Sequence, residues 1–522
     1  MALKLLSLVY LLVSGERFVP QNIDGVPYRQ LGNDIMKSPG DLREYAGVEL
    51  ENGLQVLIIS DPRATKSGAA LTVSTGSQDD PSKIPGMANL CRHMIGRGSE
   101  RYPEPYAYTQ FMEINGGSAS STLTYGQATF SFEVGNWALE GGLDRLSQLF
   151  IKPIFDKEGL IQEASAINLQ FLNRKSSLLS QFAQAASASI NSTHPFTGLL
   201  TGNLETLISG PKKRRCDVYS LTEYHYITHY SSNLMKLVVI GVQDIGTLKE
   251  MVIPKFTLIP NRNIKEPNIG SPFNVKNLAR KVVIRTYMIL DRFIISFALE
   301  PVKSVAGLLQ LEFFKYMLRS KERGSFAGLL KARGLGRNLD CGEFQVFRSF
   351  TTLDIEIAVT RDGHEKEYQV VELLFAYIDA IKQQGTTSGR YQEFIEYTNS
   401  RSPPYGSLKN QAGRLVDRLH QTQEFHSVLG YYDHVPFDRE SLLSTLDQFN
   451  LSNFILYEGK AFNGTFKTEP WYGAKYISSS FLQELLEKLR SVTAEDFAIV
   501  LPEVKEIKFL SQPEKDEFSI VI

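Results

Sequence analysis

Pro85-Gly86-Met87-Ala88-Asn89-Leu90-Cys91-Arg92-His93-Met94, followed by Gly98-Ser99-Glu100-Arg101-Tyr102-Pro103, is the stretch on which the reading of this 522-residue chain turns. Its residues predict a helix over about Gly86–Gly96, opened near Pro85 and closed by Gly96 and Gly98. Asn89 and His93 stand four apart and therefore share one helix face. Arg92, beside His93, is a fixed guanidinium that neither coordinates a metal nor accepts a proton. A lone histidine on a helix face is, by itself, ordinary core.

The frame around these positions carries more information than His93 does. The stretch resembles the PGLAHFCEHM…GS.KYP segment of the insulysin and nardilysin branch of the pitrilysin-type zinc metallopeptidases. Similar matches run from Asp41-Leu42-Arg43-Glu44-Tyr45 and Asn52-Gly53-Leu54 through Thr201-Gly202-Asn203 to Glu469-Pro470-Trp471-Tyr472-Gly473. The resemblance implies an inverted zinc motif, His-x-x-Glu-His, in which the glutamate is general base and a later helix supplies a third ligand. On that alignment Asn89 replaces the first histidine, Arg92 replaces the general base, and His93 is retained. Gln170 falls on the third ligand position, and Glu163 matches an acid that supports the ligands. The resemblance thus implies zinc in active relatives and no catalytic zinc in this chain.

The same resemblance implies a substrate edge, where peptide adds as a strand through its backbone. The matching residues are Gly117, Ser118, Ala119 and Ser120, with Ser120 standing where the family has asparagine. A second family anchor for a substrate N-terminus corresponds to Ser320–Ser325, of which Gly324 and Ser325 persist. Three functional expectations follow. One is a catalytically impaired homologue that binds a peptide or a partner subunit, itself or an insulysin-like chain, without hydrolysis. Mitochondrial processing peptidase offers a family precedent, pairing a catalytic subunit with a similar non-catalytic one. The alternative is a zinc-dependent metalloendopeptidase with unconventional ligands, and a third is a truncated duplicate with little activity of its own.

Composition places the chain among globular proteins: 43% hydrophobic residues, 22% charged, and a formal net charge of -1 that points to no nucleic-acid partner. Residues 1–28 read as a leader. Within it, Met1–Gly15 holds one lysine, a short apolar run and small residues, as a secretory signal does, and is too short to span a membrane. Secreted and cytoplasmic locations both stay open, and the sequons at Asn191, Asn450 and Asn463 do not decide between them. Three scattered cysteines exclude a disulfide scaffold. His225 and His229, four apart, read as a helix-face pair, and Lys212-Lys213-Arg214-Arg215 as a solvated basic run.

Strands are expected at Val48–Glu51, Leu54–Ile59, Ala69–Ser74, Ser118–Thr124 and Gln127–Val134, with an Asn52-Gly53 hairpin turn. A connector rich in Pro, Asn and Lys over 260–275 separates a first domain, 29–260, from a second, 261–522, with a weak repeat of the plan. The fold class is α+β: two tandem insulysin-like αβ roll domains, each an antiparallel-rich sheet with helices on one face. The family is about twice as long, so the chain corresponds to its N-terminal half.

Overall fold

Alternating apolar residues build two large sheets in succession. The computed structural model describes residues 21–502 apart from 33–34, 39, 192, 267, 275, 288–289, 303, 321–323, 343–344, 347–348, 401–406, 423–424, 433–434 and 482. Met1–Gly15 and residues 321–323 of the second anchor lie outside the described residues.

The first sheet contains β1 (Gln21–Ile23), β2 (Val26–Gly32), β3 (Glu44–Leu50), β4 (Gln55–Ser60), β5 (Ser67–Val73), β6 (Ser118–Leu123), β7 (Ala128–Val134) and β8 (Met235–Gly241). Its order is β1-β2-β3-β4-β8-β5-β7-β6, antiparallel except for the β4/β8 pair, so β6 is an edge. Strand β2 spans residue 28, so the ordered sheet begins inside what sequence reading assigned to the leader. The Asn52-Gly53 turn forms as expected, with Gly53 at φ +80.

The second sheet contains β9 (Arg280–Arg285), β10 (Arg292–Leu299), β11 (Gly336–Cys341), β12 (Gln345–Val346), β13 (Thr351–Val359), β14 (Phe454–Lys460), β15 (Lys467–Thr468) and β16 (Lys475–Ser480). Its order, β11-β13-β10-β14-β9-β16-β15, repeats the first: β16-β9-β14-β10 answers β3-β4-β8-β5, and β9/β14 is again the parallel pair. The sequence pattern did not mark β11 or β14. Ser479 and Ser480 end β16, where they continue its pairing with β9, and the last long helix runs over Gln483–Ser491.

Ten of the helices matter here: α1 (Met87–Arg97), α2 (Ala107–Ile114), α3 (Leu139–Ile151), α4 (Lys157–Ser176), α5 (Leu178–Ala188), α6 (Val218–His229), α7 (Ile245–Phe256), α8 (Val305–Arg319), α9 (Glu367–Ala380) and α10 (Leu408–Thr422). Period-two alternation decides which helices cover which face. Val56, Ile58, Leu71, Leu237 and Val239 pack against α1, α3 and α7. The intervening Leu57, Ile59, Ala70, Val238 and Ile240 pack against Ala412, Val416 and Leu419 of α10, from the second half. In the second sheet, Phe293, Ile295 and Phe297 face α8 and α9. Their neighbours Val282, Ile284, Ile294, Ile455 and Tyr457 face Phe182, Ala185 and Ala186 of α5, from the first half. Helices therefore cover both faces of each sheet, not one, and the second covering is exchanged between the halves. No described helix is long and apolar enough to cross a membrane.

Candidate functional site

Helix α1 is fixed at its start by a half-buried acid and a close backbone crossing. Gly86 and Ala88 donate their N–H groups to the two carboxylate oxygens of Asp80, at 2.6 and 2.7 Å. Gly86 sits at φ +93, and a Cβ there would lie 2.3 Å from the Cα of Gly202. That is why Pro85-Gly86 and Thr201-Gly202-Asn203, far apart in sequence, need glycines: their backbones touch.

The helix then presents Asn89, Arg92 and His93. Asn89, 4% exposed, donates from Nδ2 to the Thr201 carbonyl at 3.0 Å. Its Oδ1 accepts from Arg92 Nη2 at 2.8 Å and from Nε at 3.3 Å. Arg92, 8% exposed, donates from Nη1 to the Ser121 carbonyl at 3.0 Å and also to the Ser121 hydroxyl. Four of the five guanidinium N–H groups are thereby engaged, all by neutral acceptors. Burial lowers the Arg92 pKa, although a guanidinium stays charged at any working pH.

His93 is held by a different element. Its Nδ1 lies 2.9 Å from Glu163 Oε2 on α4, while Glu163 Oε1 accepts from the Tyr106 hydroxyl at 2.6 Å and lies 3.6 Å from Arg97 Nη1. Burial first, and the Arg92 charge after it, lower the His93 pKa against the pull of Glu163. Burial would raise the Glu163 carboxyl, but the hydrogen bonds from His93 and Tyr106 and the charge of Arg97 hold it below its usual range. The pair is thus a neutral imidazole with Nδ1–H toward a carboxylate, leaving Nε2 buried without a hydrogen-bond partner among the described residues.

This donor set does not fit a catalytic zinc ion. His93 Nε2 is one suitable ligand. The Asn89 amide is already bound at both ends, and Arg92 brings positive charge to the same face. Gln170 is exposed on α4 and makes no hydrogen bond to Asn89 or His93. Among the described residues, no group of three His, Cys, Asp or Glu is placed to hold a metal.

The adjoining edge strand can be phased from its turn. Thr124 N–H donates to the Gln127 carbonyl, and the register pairs Ser120 with Ser131 and Ser121 with Phe130. Hydrogen-bonded pairs alternate in an antiparallel ladder. Ser118, Ser120 and Thr122 therefore turn their peptide groups toward β7, while Ala119, Ser121 and Leu123 turn theirs to the open edge. The carbonyl that Arg92 holds is the central one of that edge. Gly117 permits a close approach, since a Cβ there would lie 1.8 Å from the Glu133 carbonyl. Ser118 Oγ accepts from Lys409 Nζ of α10 at 2.9 Å, Ala119 packs against the first core, and Ser120 Oγ lies 3.0 Å from Ser131 Oγ.

Gly324 and Ser325 serve the backbone locally. Gly324 sits at φ +90 against the Val500 carbonyl, and the fully buried Ser325 accepts from Gly328 N–H as a helix cap. The Ser325 hydroxyl is thereby engaged in that cap. Ser121, Tyr106, Arg97 and the Thr201 carbonyl went unrecognised, because each enters the site by a contact between separate elements and none has a spacing signature of its own.

His225 is 3% exposed, its ring centroid 4.1 Å from that of His229. Burial, with the neighbouring His229, pushes its pKa down to about 3. The unfolded chain, with an ordinary histidine value near ~6.5, then binds more protons between pH ~3 and ~6.5. Stability rises with pH across that window and is lost as pH falls through it, by up to about 5 kcal/mol. His225→Phe is expected to flatten this acid limb in urea titrations at pH 7 and pH 5. An unchanged difference in midpoint between the two pH values would reject the assignment.

The insulinase (peptidase family M16) model matches residues 55–190, and the peptidase M16 inactive domain model matches residues 219–396. The chain is 29% identical over 470 residues to the insulin-degrading enzyme of Homo sapiens, covering 88% of this chain and 46% of that protein. It is 32% identical over 372 residues to the insulin-degrading enzyme of Drosophila melanogaster, covering 71% and 37%. The crystal structure of pitrilysin superposes with a TM-score of 0.83 at 24% identity, over 92% of this chain and 51% of that one. The chain spans about half the length of the curated relatives it matches or less. Matching family models in both halves, and a fold shared with pitrilysin throughout, place this chain in the insulysin/pitrilysin-type M16 peptidase family.

Proposed function

We propose that this chain is a peptidase homologue without hydrolytic activity that binds a peptide or a partner subunit. The observation that carries the reading is the Arg92 guanidinium, tied to Asn89 on one side and to the edge carbonyl of Ser121 on the other. It stands where the family places a proton acceptor beside a dication. An obligate cation can take no proton from water, and it repels a metal. The sheet edge at β6 persists, and backbone pairing is largely indifferent to side-chain identity, so binding can outlast the chemistry.

The test joins metal content to turnover. The purified chain is expected to carry well under one zinc ion and to leave a quenched fluorogenic peptide uncut, with or without chelator. Stoichiometric zinc with chelator-sensitive cleavage would overturn the reading in favour of a zinc-dependent metalloendopeptidase. One observation favours that second reading: His93 keeps Nδ1 on Glu163 and leaves Nε2 bare, as a metal-ligating histidine does. It would require further ligands from elsewhere.

A further inference from the structure

Among the described residues, the buried Arg92 cation has no ion-pair partner. Glu163, the nearby acid, accepts a hydrogen bond from His93 and pairs with Arg97 instead, and Asp156 also pairs with Arg97. The three acceptor atoms around the guanidinium, Asn89 Oδ1 and the carbonyl and hydroxyl oxygens of Ser121, are neutral, and one Nη2 hydrogen is left over. A charge taken out of water without an opposite charge is costly, and the cost is recovered when an anion arrives. The guanidinium also lies across the outward side of β6 at its midpoint. A peptide strand pairing along Ala119 or Leu123 meets it at Ser121 and has no acceptor there to continue on.

Resting on the peptide-binding reading above, we propose that the β6 edge takes the end of a peptide, with its free C-terminal carboxylate seated on Arg92. The carboxylate replaces Ser121 as acceptor for the guanidinium, which is a fork matched to two carboxylate oxygens. The backbone behind it pairs with the outward groups of one half of the edge. The ligand class is thus an extended peptide with a free C-terminus, and amidated or internal segments are discriminated against.

The test uses a library of fluorescein-labelled octapeptides with free C-termini and the same library amidated, titrated against the full chain by fluorescence polarisation. The free acids are expected to bind about tenfold more tightly than the amides. Arg92→Gln, checked for folding by circular dichroism, is expected to abolish that preference. Equal binding of acids and amides, or a preference that survives in Arg92→Gln, overturns the inference while leaving peptide binding intact. Binding of neither library overturns both. Should the variant not fold, a diazirine on the last residue of the acid peptides decides on the unaltered chain. Labelling within residues 89–94 or 119–123 is the expected result, and labelling elsewhere overturns the inference.

Discussion

Changing Asn89→His, Arg92→Glu and Gln170→Glu together is expected to produce a chain that binds one zinc ion, with an affinity at least about 1,000-fold above that of the unaltered protein. The first change sets an imidazole four residues before His93, whose Nε2 is already bare and whose Nδ1 is already held by Glu163. The second removes the guanidinium and frees the Ser121 carbonyl. The third adds a carboxylate on α4, two turns beyond Glu163. Against this, the Thr201 carbonyl loses the donor it has in Asn89, at about 1 kcal/mol. Zinc contributes an apparent ~10–16 kcal/mol in small zinc domains, so the balance favours the metal. Equilibrium dialysis with atomic absorption measures the outcome. A metal-free triple variant would mean that the surrounding scaffold, and not only three side chains, has departed from a zinc site.

The largest effect on stability is expected from Phe182→Ala. Phe182 is 1% exposed and belongs to α5 of the first half, yet its partners Val282, Ile284, Ile294, Ile455 and Tyr457 line the second sheet. Truncating a buried phenylalanine costs about 3–5 kcal/mol through lost burial and the cavity left behind. Because the cavity opens under β9 and β14, hydrogen exchange is expected to quicken in those strands, some 100 residues or more from the substitution. Faster exchange confined to residues 157–188 would show that α5 is stabilised only within its own half.

Much of the fold was legible from alternation and turn residues. The Asn52-Gly53 hairpin, the long β5 and β7 strands and α1 all stood within a few residues of where they were expected. The misses have physical causes. Strand β14 is buried on both faces, so Phe454-Ile455-Leu456-Tyr457 shows no alternation to separate a strand from a buried helix turn. The exchange of α5 and α10 could not be read at all, since an amphipathic face does not announce which sheet it covers. At the site, Asn89, Arg92 and His93 were marked by the resemblance of their stretch to the inverted zinc motif. What they touch was not: the phase of β6 that aims Ser121 at Arg92 depends on the Thr124–Gln127 turn and on the distance between α1 and the sheet.

Sharing of α5 and α10 between the two sheets has a bearing on biosynthesis. The last strand of the first sheet, β8, ends at Gly241, but the helix that roofs its second face begins only at Leu408. A ribosome adding about 5–20 residues per second needs roughly 10–30 s to cover that interval. Throughout that time Leu57, Ile59, Val238 and Ile240 present a bare apolar floor to the cytosol or the translocation machinery. Nascent chains of this protein therefore pass through an obligatory holding period, during which a chaperone has a well-defined surface to shield.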